Sequence, residues 1–376
     1  MPDTLTRRAL NRALLGRQLL LRRDPLPGAA GPRAGRVIET VEHLVGLQAQ
    51  APFPPYYGLW SRLDGFRPGD LSDLIVERRV VRIGLMRGTI HLVSADDCLR
   101  LRPPLQQALE RGLRANFGRQ LTDVDRAELA RAGRALVEDR PMTLHEIGDA
   151  LKSRWPQYPP SALAQGVRAL VPLVQVPPRA VWGRAGQAAH TSAEAWLGRP
   201  LAASASPDQA VLRYLAAFGP ATVADAQAWS GLTGLREVVA RLEPQLRTFR
   251  DAQGRELFDL PGAPRPDPDT PAPVRLVAEF DNLVLSHGDR SRVISEPDRQ
   301  RLYTKNGIFP GTVLIDGFVR GMWRVTTTRR AATATVELFG DVGRRDRDAV
   351  TAEGERLLEF AAPDTPDAEI RFGPIT

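Results

Sequence analysis

The sequence predicts an α+β protein built from repeated winged helix-turn-helix units and followed by a C-terminal antiparallel β-domain. Two observations lead to this fold class. Amphipathic helical segments followed by a strand hairpin recur along residues 1–263. After the segment Pro261–Pro273, which contains six prolines and predicts a linker, strand-like runs dominate the chain.

The composition is that of an ordinary globular protein. The chain has 376 residues, of which 43% are hydrophobic and 25% charged, and this length allows two to four compact units. No apolar run approaches the roughly 20 residues that cross a bilayer. We therefore expect no signal peptide, no membrane partner, a cytoplasmic location and a monomer. Cys98 is the only cysteine, so we expect neither a disulfide nor a metal nor a cofactor.

The charge balance is basic. Lysine and arginine number 51 against 44 acidic residues, which gives a net charge of +7. Lys152 and Lys305 are the only lysines, so arginine carries the excess, and its guanidinium binds phosphate oxygens bidentately. This composition fits a polyanionic partner such as DNA, although a GC-rich genome would produce the same arginine bias.

The first predicted unit spans residues 1–120. Its first helix runs from Thr4, a candidate N-cap, to Leu21, on the helical spacing of leucine and alanine. Further helices and two strands joined by Arg87-Gly88 complete the pattern of a winged helix. The other predicted segments are a loop at Asp24–Arg33, helices at Arg36–Leu47, Tyr56–Leu63 and Leu71–Arg78, and strands at Val80–Met86 and Thr89–Val93.

Two later stretches repeat one order of elements and define units at 121–200 and 201–263. Each has a helix, a Pro-x-Thr sequence whose threonine (Thr143 or Thr222) caps a short helix, a turn, a longer helix and a hairpin. The predicted segments are Ala127–Val137, Leu144–Leu151, Ser161–Leu170 and Val174–Trp182 in one unit. In the other they are Ala210–Phe218, a helix through Trp229, a helix ending near Leu242, and strands at Leu246–Phe249 and Glu256–Leu260.

Residues 264–376 form the predicted β-domain. We expect a small antiparallel sheet or barrel, with Asp316-Gly317 as a tight turn and with a helix at Arg347–Phe360 closing it. The predicted strands are Val274–Ala278, Thr312–Ile315, Gly317–Val325 and Ala332–Phe339.

The run Leu47–Pro52 contains two glutamines, Gln48 and Gln50, whose amides could act together. Pro52 disfavours helical geometry at the residue before it, so the helix ends here and the following residues are predicted to be extended. Residues two apart in an extended segment project to the same side, and the two amides would then face one point. Two glutamines at a helix end are also an ordinary cap, and spacing alone leaves both interpretations open.

Five segments of this chain resemble, in order, the AlkZ-type family of winged-helix DNA glycosylases. They are Gly46–Pro52, Tyr57–Leu63, Leu85–Val93, Glu279–His287 and Asp316–Trp323. The resemblance implies three tandem winged helices in a C-shaped arrangement with a C-terminal β-domain. It also implies that the catalytic Gln-x-Gln motif of the family falls on Gln48 and Gln50. YcaQ-type relatives carry an aspartate at the second position, so Gln50 places the chain on the AlkZ side.

The resemblance further implies hydrolysis of the N-glycosidic bond of bulky or crosslinking N7-alkylguanine and related alkylpurines in double-stranded DNA. Such a base is cationic and departs as a neutral group, so little general-acid help is needed. The protein must position a water and stabilise an oxocarbenium-like sugar. Neither lysine lies near the motif, which favours a monofunctional enzyme over Schiff-base chemistry. The expected role is DNA repair or self-resistance to an alkylating natural product.

Other residues are candidates for DNA contacts. Arg87 and His91 lie on the first predicted wing, where we expect them to contact DNA or to assist the lesion pocket, although a wing arginine is as often simply solvated. A C-terminal hairpin places two arginines at its predicted tip, and the resemblance implies that this hairpin probes DNA. The candidate residues in that region are Arg320, Trp323, Arg324, Arg329 and Arg330. A polar cluster follows the first predicted strand of the C-terminal domain, and we expect its side chains to cap a helix or to form ion pairs. Its members are Asp281, His287, Asp289 and Arg290.

Two other functions are compatible with the sequence. Winged helices usually belong to non-enzymatic transcription regulators, and fold alone does not distinguish a regulator from an enzyme. The number of units argues against a regulator, because three units around a cleft suit a protein that engulfs a duplex. The third interpretation is a protein that sequesters alkylated DNA without turnover.

Overall fold

The structure is a computed structural model that describes residues 3–28, 32–203, 206–302, 309–328 and 330–375. Helices and strands are mixed throughout this part of the chain, so the predicted α+β class is confirmed. No helix within these ranges is long and apolar enough to cross a membrane.

The first third of the chain alternates short strands with helices. Its elements are β1 (Thr4–Leu5), α1 (Arg7–Arg17), β2 (Asp24–Pro25), α2 (Arg33–His43), β3 (Leu47–Gln48), α3 (Pro54–Trp60), β4 (Leu63–Asp64), α4 (Pro68–Val76), β5 (Val80–Gly84), β6 (Ile90–Ser94), α5 (Ala95–Leu101) and α6 (Gln106–Phe117). A 3-10 turn over Met86–Gly88 joins β5 to β6, so the predicted hairpin is present.

The predicted cap and end of the first helix are wrong. Thr6 caps α1, because its Oγ1 accepts a hydrogen bond from the N–H of Ala9 (3.1 Å). Thr4 lies in β1 and pairs in parallel with Arg250. Both threonines precede the helical pattern, and the pairing of Thr4 in a strand leaves Thr6 as the cap. The helix ends at Arg17 because the chain turns at Leu19, whose φ is 57°.

The middle of the chain follows the predicted order of helices closely. Its elements are α7 (Arg126–Asp139), β7 (Met142–Thr143), α8 (Leu144–Lys152), α9 (Pro160–Leu170), β8 (Leu173–Gln175), β9 (Ala189–Ser192), α10 (Ala193–Leu197), α11 (Asp208–Phe218), α12 (Val223–Ser230), α13 (Leu235–Leu242), β10 (Arg247–Asp251) and β11 (Glu256–Asp259). The strand predicted to reach Trp182 ends at Gln175, and the chain returns as β9, a polar segment without strand-like alternation.

Both predicted threonine caps are confirmed. Thr143 Oγ1 accepts from the N–H of Glu146 (3.2 Å), and Thr222 Oγ1 accepts from the N–H of Asp225 (3.0 Å). Each carboxylate in turn accepts from the N–H of its threonine, which completes a capping box.

Three strands of the first predicted unit and three of the second form one sheet. The order is β3-β6-β5-β8-β9-β7, and each neighbouring pair is antiparallel. The join lies between β5 and β8, where Arg82 pairs with Gln175 and Ile83 with Val174. Strand β3, which carries Gln48, is therefore at one edge of this sheet.

The last part of the chain is a five-stranded sheet with helices. Its elements are β12 (Arg275–Val277), α14 (Asn282–Leu285), α15 (Glu296–Leu302), β13 (Gly311–Ile315), β14 (Phe318–Thr327), β15 (Ala331–Leu338), α16 (Arg344–Ala361) and β16 (Asp367–Phe372). The strand order is β12-β13-β14-β15-β16. The predicted turn at Asp316-Gly317 is present, with φ values of 47° and 79°.

The prediction of a wholly antiparallel C-terminal sheet is wrong for one pair of strands, β15 and β16. Strand β16 runs parallel to β15, with Ala331 opposite Asp367. Parallel neighbours need a long crossover, and α16 supplies it by carrying the chain back along the sheet.

The buried side chains only partly follow the predicted units. Residues 124–173 enclose a separate apolar core. Another core is continuous from Leu14 through Met86 and Trp229 to Phe339, and so joins the first hairpin to α12 and to the C-terminal sheet. The division of the chain into four units at the predicted boundaries stays a prediction.

Candidate active site

Gln48 is the last residue of edge strand β3. It pairs with His91 on β6, and its side chain is 8% exposed. Its Oε1 accepts a hydrogen bond from Nη2 of Arg87 (2.8 Å). The amide is therefore fixed by a cation from the β5–β6 turn.

A glycine allows the close approach of β3 to its neighbour. Gly46 has a φ of 87°, and a Cβ at this position would lie 2.6 Å from Cγ1 of Val93 and 3.0 Å from the carbonyl oxygen of Leu92. A larger residue would push β3 away from β6. The carbonyl of Gly46 also accepts from Nδ2 of Asn282 (2.9 Å), which ties the segment to the C-terminal part of the chain.

Gln50 lies in a bend beyond the end of β3 and is exposed. Its Oε1 accepts a hydrogen bond from the backbone N–H of Ile90 (3.1 Å). The expectation of an extended segment through Gln50 is wrong, because this side chain occupies the N–H that would have continued the strand ladder. Gln48 and Gln50 instead contact two ends of one turn, at Arg87 and Ile90.

The partners of the two amides also fix their orientation. A guanidinium and a backbone N–H only donate, so the oxygen of each amide must face its partner and the NH2 group must point elsewhere. No acceptor among the described residues contacts either amide nitrogen. The exposed Gln50 amide therefore offers its NH2 group and the second lone pair of its oxygen to a ligand in the cleft.

Arg87 is half-buried and bonded to protein groups, where the sequence predicted an exposed or DNA-contacting wing. Its Nη1 donates to the carbonyl of Trp229 on α12 (2.8 Å), and a Cβ on Gly231 would lie 3.3 Å from its Cα. Burial, with a smaller effect of the positive Arg290, lowers the pKa of Arg87 to about 10. The side chain is still cationic at neutral pH, and its described contacts are with protein acceptors.

His91 is fully buried, so its predicted contact with DNA conflicts with its position opposite Gln48 in the sheet. Its Nδ1 lies 3.1 Å from the carbonyl oxygen of Thr89 and must carry the proton, because that oxygen only accepts. Its Nε2 is buried without a partner among the described residues. Burial, followed by the charge of Arg87, lowers the pKa of His91 to about 3, which keeps the ring neutral.

A cleft of about 320 Å³ opens beside Gln50. Its polar lining comes largely from the second predicted unit, from residues for which the sequence predicted no role at the site: Thr143, Arg168, Gln175, Gln187 and His190. None of the described residues that line it is acidic. Burial lowers the pKa of Arg168, and a cationic cleft without carboxylates suits the phosphates of a nucleic acid.

One sequence signal would have pointed to the neighbourhood of this cleft. Arg82 interrupts the apolar run of β5, and Gln175 lies opposite it on β8. A long polar side chain at a strand position that faces the interior requires partners, and strand alternation alone identifies such positions. The contribution of α9, which carries Arg168, depends on how two units pack and has no local signal.

The residues of the C-terminal hairpin that were predicted to bind DNA lie partly in the core and partly at the surface. Trp323 is 5% exposed and its Nε1 donates to the carbonyl of Val277 (2.8 Å), so a DNA contact for this side chain is contradicted by its place in the core. Arg320 is half-buried, whereas Arg324 and Arg330 are exposed. The remaining candidate, Arg329, lies outside the described residues.

The expected capping and ion pairing of the polar cluster is confirmed for two of its members. Asp281 accepts two hydrogen bonds from the buried guanidinium of Arg62, each 2.8 Å long, and it caps α14. Asp289 accepts from Nη2 of Arg255 (2.5 Å). His287 is buried. These contacts assign Asp281 and Asp289 to the packing of the C-terminal part rather than to the amide pair.

Within the described residues, no group of three or more histidine, cysteine, aspartate or glutamate side chains is placed to hold a metal ion. Cys98 is buried, and burial raises the pKa of its thiol to about 12, so it is a poor nucleophile at neutral pH. Among the described groups, the Gln48 and Gln50 amides remain the candidates for chemistry.

Comparison with known proteins identifies a family and a similar fold. The family model described as DNA glycosylase AlkZ-like matches residues 41–360, a range that includes both glutamines. The structure is similar to that of the Streptomyces sahachiroi DNA glycosylase AlkZ, with a TM-score of 0.77 and 18% sequence identity, covering 98% of this chain and 100% of that one. At this identity the likeness concerns the fold. No curated protein matches the sequence.

Proposed function

The chain belongs to the AlkZ-like DNA glycosylase family, and from this premise we propose that it is a monofunctional hydrolase of bulky or crosslinking N7-alkylguanine and related cationic alkylpurines. The product is an abasic site, and the role is DNA repair or self-resistance to an alkylating natural product. The observation that carries the proposal is the pair of amides, Gln48 and Gln50, each oriented by a donor-only partner on the β5–β6 hairpin, with Gln50 at a cleft without carboxylates.

The chemistry follows from the charge of the lesion. An N7-alkylated guanine leaves as a neutral base, so the reaction needs no strong general acid, and the acid-free cleft beside Gln50 meets that condition. The free lone pair of an amide oxygen accepts a hydrogen bond from the attacking water. An amide is too weak a base to activate water against an undamaged nucleoside, so cleavage is confined to lesions that already carry a good leaving group.

The NH2 groups have a separate task in this proposal. Arg87 polarises the Gln48 amide through its oxygen, which strengthens the N–H donors on the other side of that amide. Sugar and phosphate oxygens of the damaged strand are acceptors, so the two NH2 groups hold the strand and bring C1′ to the water. His91 stays neutral beneath the pair and adds no charge against the oxocarbenium-like sugar.

For DNA binding, we propose that the three repeated helical units with their hairpins are winged helices that surround a duplex in a C-shaped arrangement. The hairpin of β14 and β15 enters a groove and presents Arg324, Arg329 and Arg330 to the backbone. A crosslinked base cannot leave the helix stack, so the lesion stays in the duplex while the amide pair reaches its sugar.

A strand-cleavage assay tests the proposed activity. Duplexes carry one N7-methylguanine, one bulky N7 adduct or one N7 crosslink, and the same damaged duplexes incubated without protein give the background of spontaneous depurination. We expect breaks at the lesion only after hot alkali, because a monofunctional glycosylase leaves the abasic sugar intact. Breaks without alkali would show a lyase instead. Binding to an undamaged sequence with no breaks on any lesion would identify a transcription regulator.

A further inference from the structure

The hydrogen-bond ladder between β3 and β6 lacks one backbone bond, at the pair formed by Ala49 and Ile90. Ala49 donates its N–H to the carbonyl of Ile90 (2.7 Å). In an antiparallel pair of this kind the N–H of Ile90 would return a hydrogen bond to the carbonyl of Ala49. It donates instead to Oε1 of Gln50. The free carbonyl of Ala49 therefore needs another donor, because buried carbonyls are almost always paired.

Arg82 supplies that donor. Its Nη2 lies 2.6 Å from the carbonyl oxygen of Ala49 and 3.4 Å from that of Ala51. These two carbonyls flank Gln50 in the chain, so one guanidinium holds the backbone on both sides of it. Arg82 reaches them from β5, which is separated from β3 by β6.

The stability of the fold does not explain why a charged side chain occupies this buried position of β5. Arg82 is 2% exposed, and burial, with a smaller effect of the positive Arg179, lowers its pKa to about 10. Its Nε and Nη1 are buried and have no hydrogen-bond partner among the described residues. None of the ion pairs found in the described part of the chain includes it. A buried charge without a counterion is unfavourable, and an apolar side chain of similar length would avoid that cost.

We propose that Arg82 is a positioning residue that keeps the ladder open so that the Gln50 amide takes the N–H of Ile90. Two acceptors compete for that N–H, the carbonyl of Ala49 and the side chain of Gln50. By binding the carbonyl, Arg82 decides the competition in favour of Gln50. Without it the ladder closes, and the Gln50 side chain is released into the cleft. That this placement of the Gln50 amide matters for excision of a damaged base rests on the proposed function.

Arg82→Met removes the donor and keeps the apolar stem of the side chain. Arg275→Met is the matched control, because Arg275 is also buried, has a pKa lowered to about 10 by burial, and donates to the backbone carbonyl of Val274. We expect Arg82→Met to slow single-turnover excision of N7-methylguanine roughly a hundredfold, with the Kd for the duplex unchanged. Arg82→Lys, which keeps one donor, should recover part of the rate, and Arg275→Met should excise at the parent rate.

A double variant separates positioning from general damage to the fold. If Arg82 acts through Gln50, Arg82→Met should cause no further loss of rate in a Gln50→Ala background. Multiplicative losses from the two substitutions, or an equal loss of rate in Arg275→Met, would overturn the proposal.

The arrangement is also measurable without catalysis. In ¹⁵N NMR spectra of the free protein, the side-chain NH2 of Gln50 and the backbone N–H of Ile90 should shift in Arg82→Met and return toward the parent positions in Arg82→Lys. Unchanged signals for both groups would contradict the proposal. If these signals shift as expected but the parent protein excises no lesion, positioning by Arg82 holds and the proposed function fails.

Discussion

Two hairpins of this protein carry arginine at their turns, and the structure uses them differently. The turn between β5 and β6 is packed against α12, so that Arg87 lies between Gln48 and the carbonyl of Trp229. The turn between β14 and β15 ends in solvent, where Arg330 is exposed. The first arginine is a fixed part of the amide site, and the second is available to a partner.

The contrast shows that an arginine in a hairpin turn has no single meaning. What decides its role is the element that covers the turn, and that element can lie far along the chain. For Arg87 it is the segment around Gly231, whose φ of 77° and missing side chain permit contact with the turn. Nothing comparable covers Arg330 among the described residues.

The largest effect is expected at the covered turn. Arg87→Met should lower single-turnover excision roughly a hundredfold, because the oxygen of Gln48 loses the donor that orients it. The Kd for duplex DNA, measured by fluorescence anisotropy, should stay within about twofold because this guanidinium contacts protein acceptors. A weakened Kd with an unchanged rate would return Arg87 to the class of DNA-contacting wing residues.

The exposed turn should behave in the opposite way. Arg330→Ala should weaken DNA binding several-fold and reduce the slope of log Kd against log salt by about 1, while the excision rate at saturating enzyme stays at the parent value. Arg344→Ala, which removes an exposed arginine of α16, is the control. Equal effects of both substitutions on the salt slope would mean that the hairpin is no special point of contact.

Two buried histidines of the six-stranded sheet, on β6 and β9, also predict a pH dependence of stability. Burial lowers the pKa of His91 to about 3 and that of His190 to about 4. Unfolded histidine binds a proton near pH 6.5, so the unfolded state takes up more protons between these values. The free energy of unfolding should be greatest above about pH 6.5 and should fall as the pH drops toward 4.

Thermal unfolding between pH 4 and pH 8 measures this trend. His190→Gln should flatten the fall in Tm, whereas His145→Asn, at an exposed histidine, should leave it unchanged. A Tm that rises as the pH falls through 6 would contradict the burial of neutral histidine.

The smallest effect is expected in the core of the second hairpin. Trp323→Phe removes the hydrogen bond from Nε1 to the carbonyl of Val277, at a cost of about 1 kcal/mol in the free energy of unfolding. DNA affinity should be unchanged, because the side chain is inside the sheet. A loss of affinity without a loss of stability in urea unfolding would restore the DNA contact inferred from the sequence.

Local signals in the sequence were sufficient for much of the fold. The capping boxes at Thr143 and Thr222 and the turn at Asp316-Gly317 depend on neighbouring residues, and each occurs where the sequence predicts it. Strands β9 and β16 were missed because pairing with distant strands, rather than apolar alternation, holds them in place.

The candidate site shows the same division between local and distant causes. Gln48 and Gln50 stand out in the sequence, and their motif lies within the matched family region. The partners that orient them do not, since Arg87 and Ile90 are about 40 residues away and the cleft is completed by the second predicted unit. Pairing across the sheet creates these contacts, and spacing along the chain does not reveal them.

The most direct test of the account is single-turnover excision of N7-alkylguanine by Gln48→Ala and Gln50→Ala, with duplex affinity measured in parallel. Gln300→Ala, at an exposed glutamine of α15 outside the cleft, is the matched control. The account predicts that both amide-pair variants lose excision by at least roughly a hundredfold and bind the duplex as the parent does, while the control keeps its rate. Excision at the parent rate by both Gln48→Ala and Gln50→Ala would contradict it.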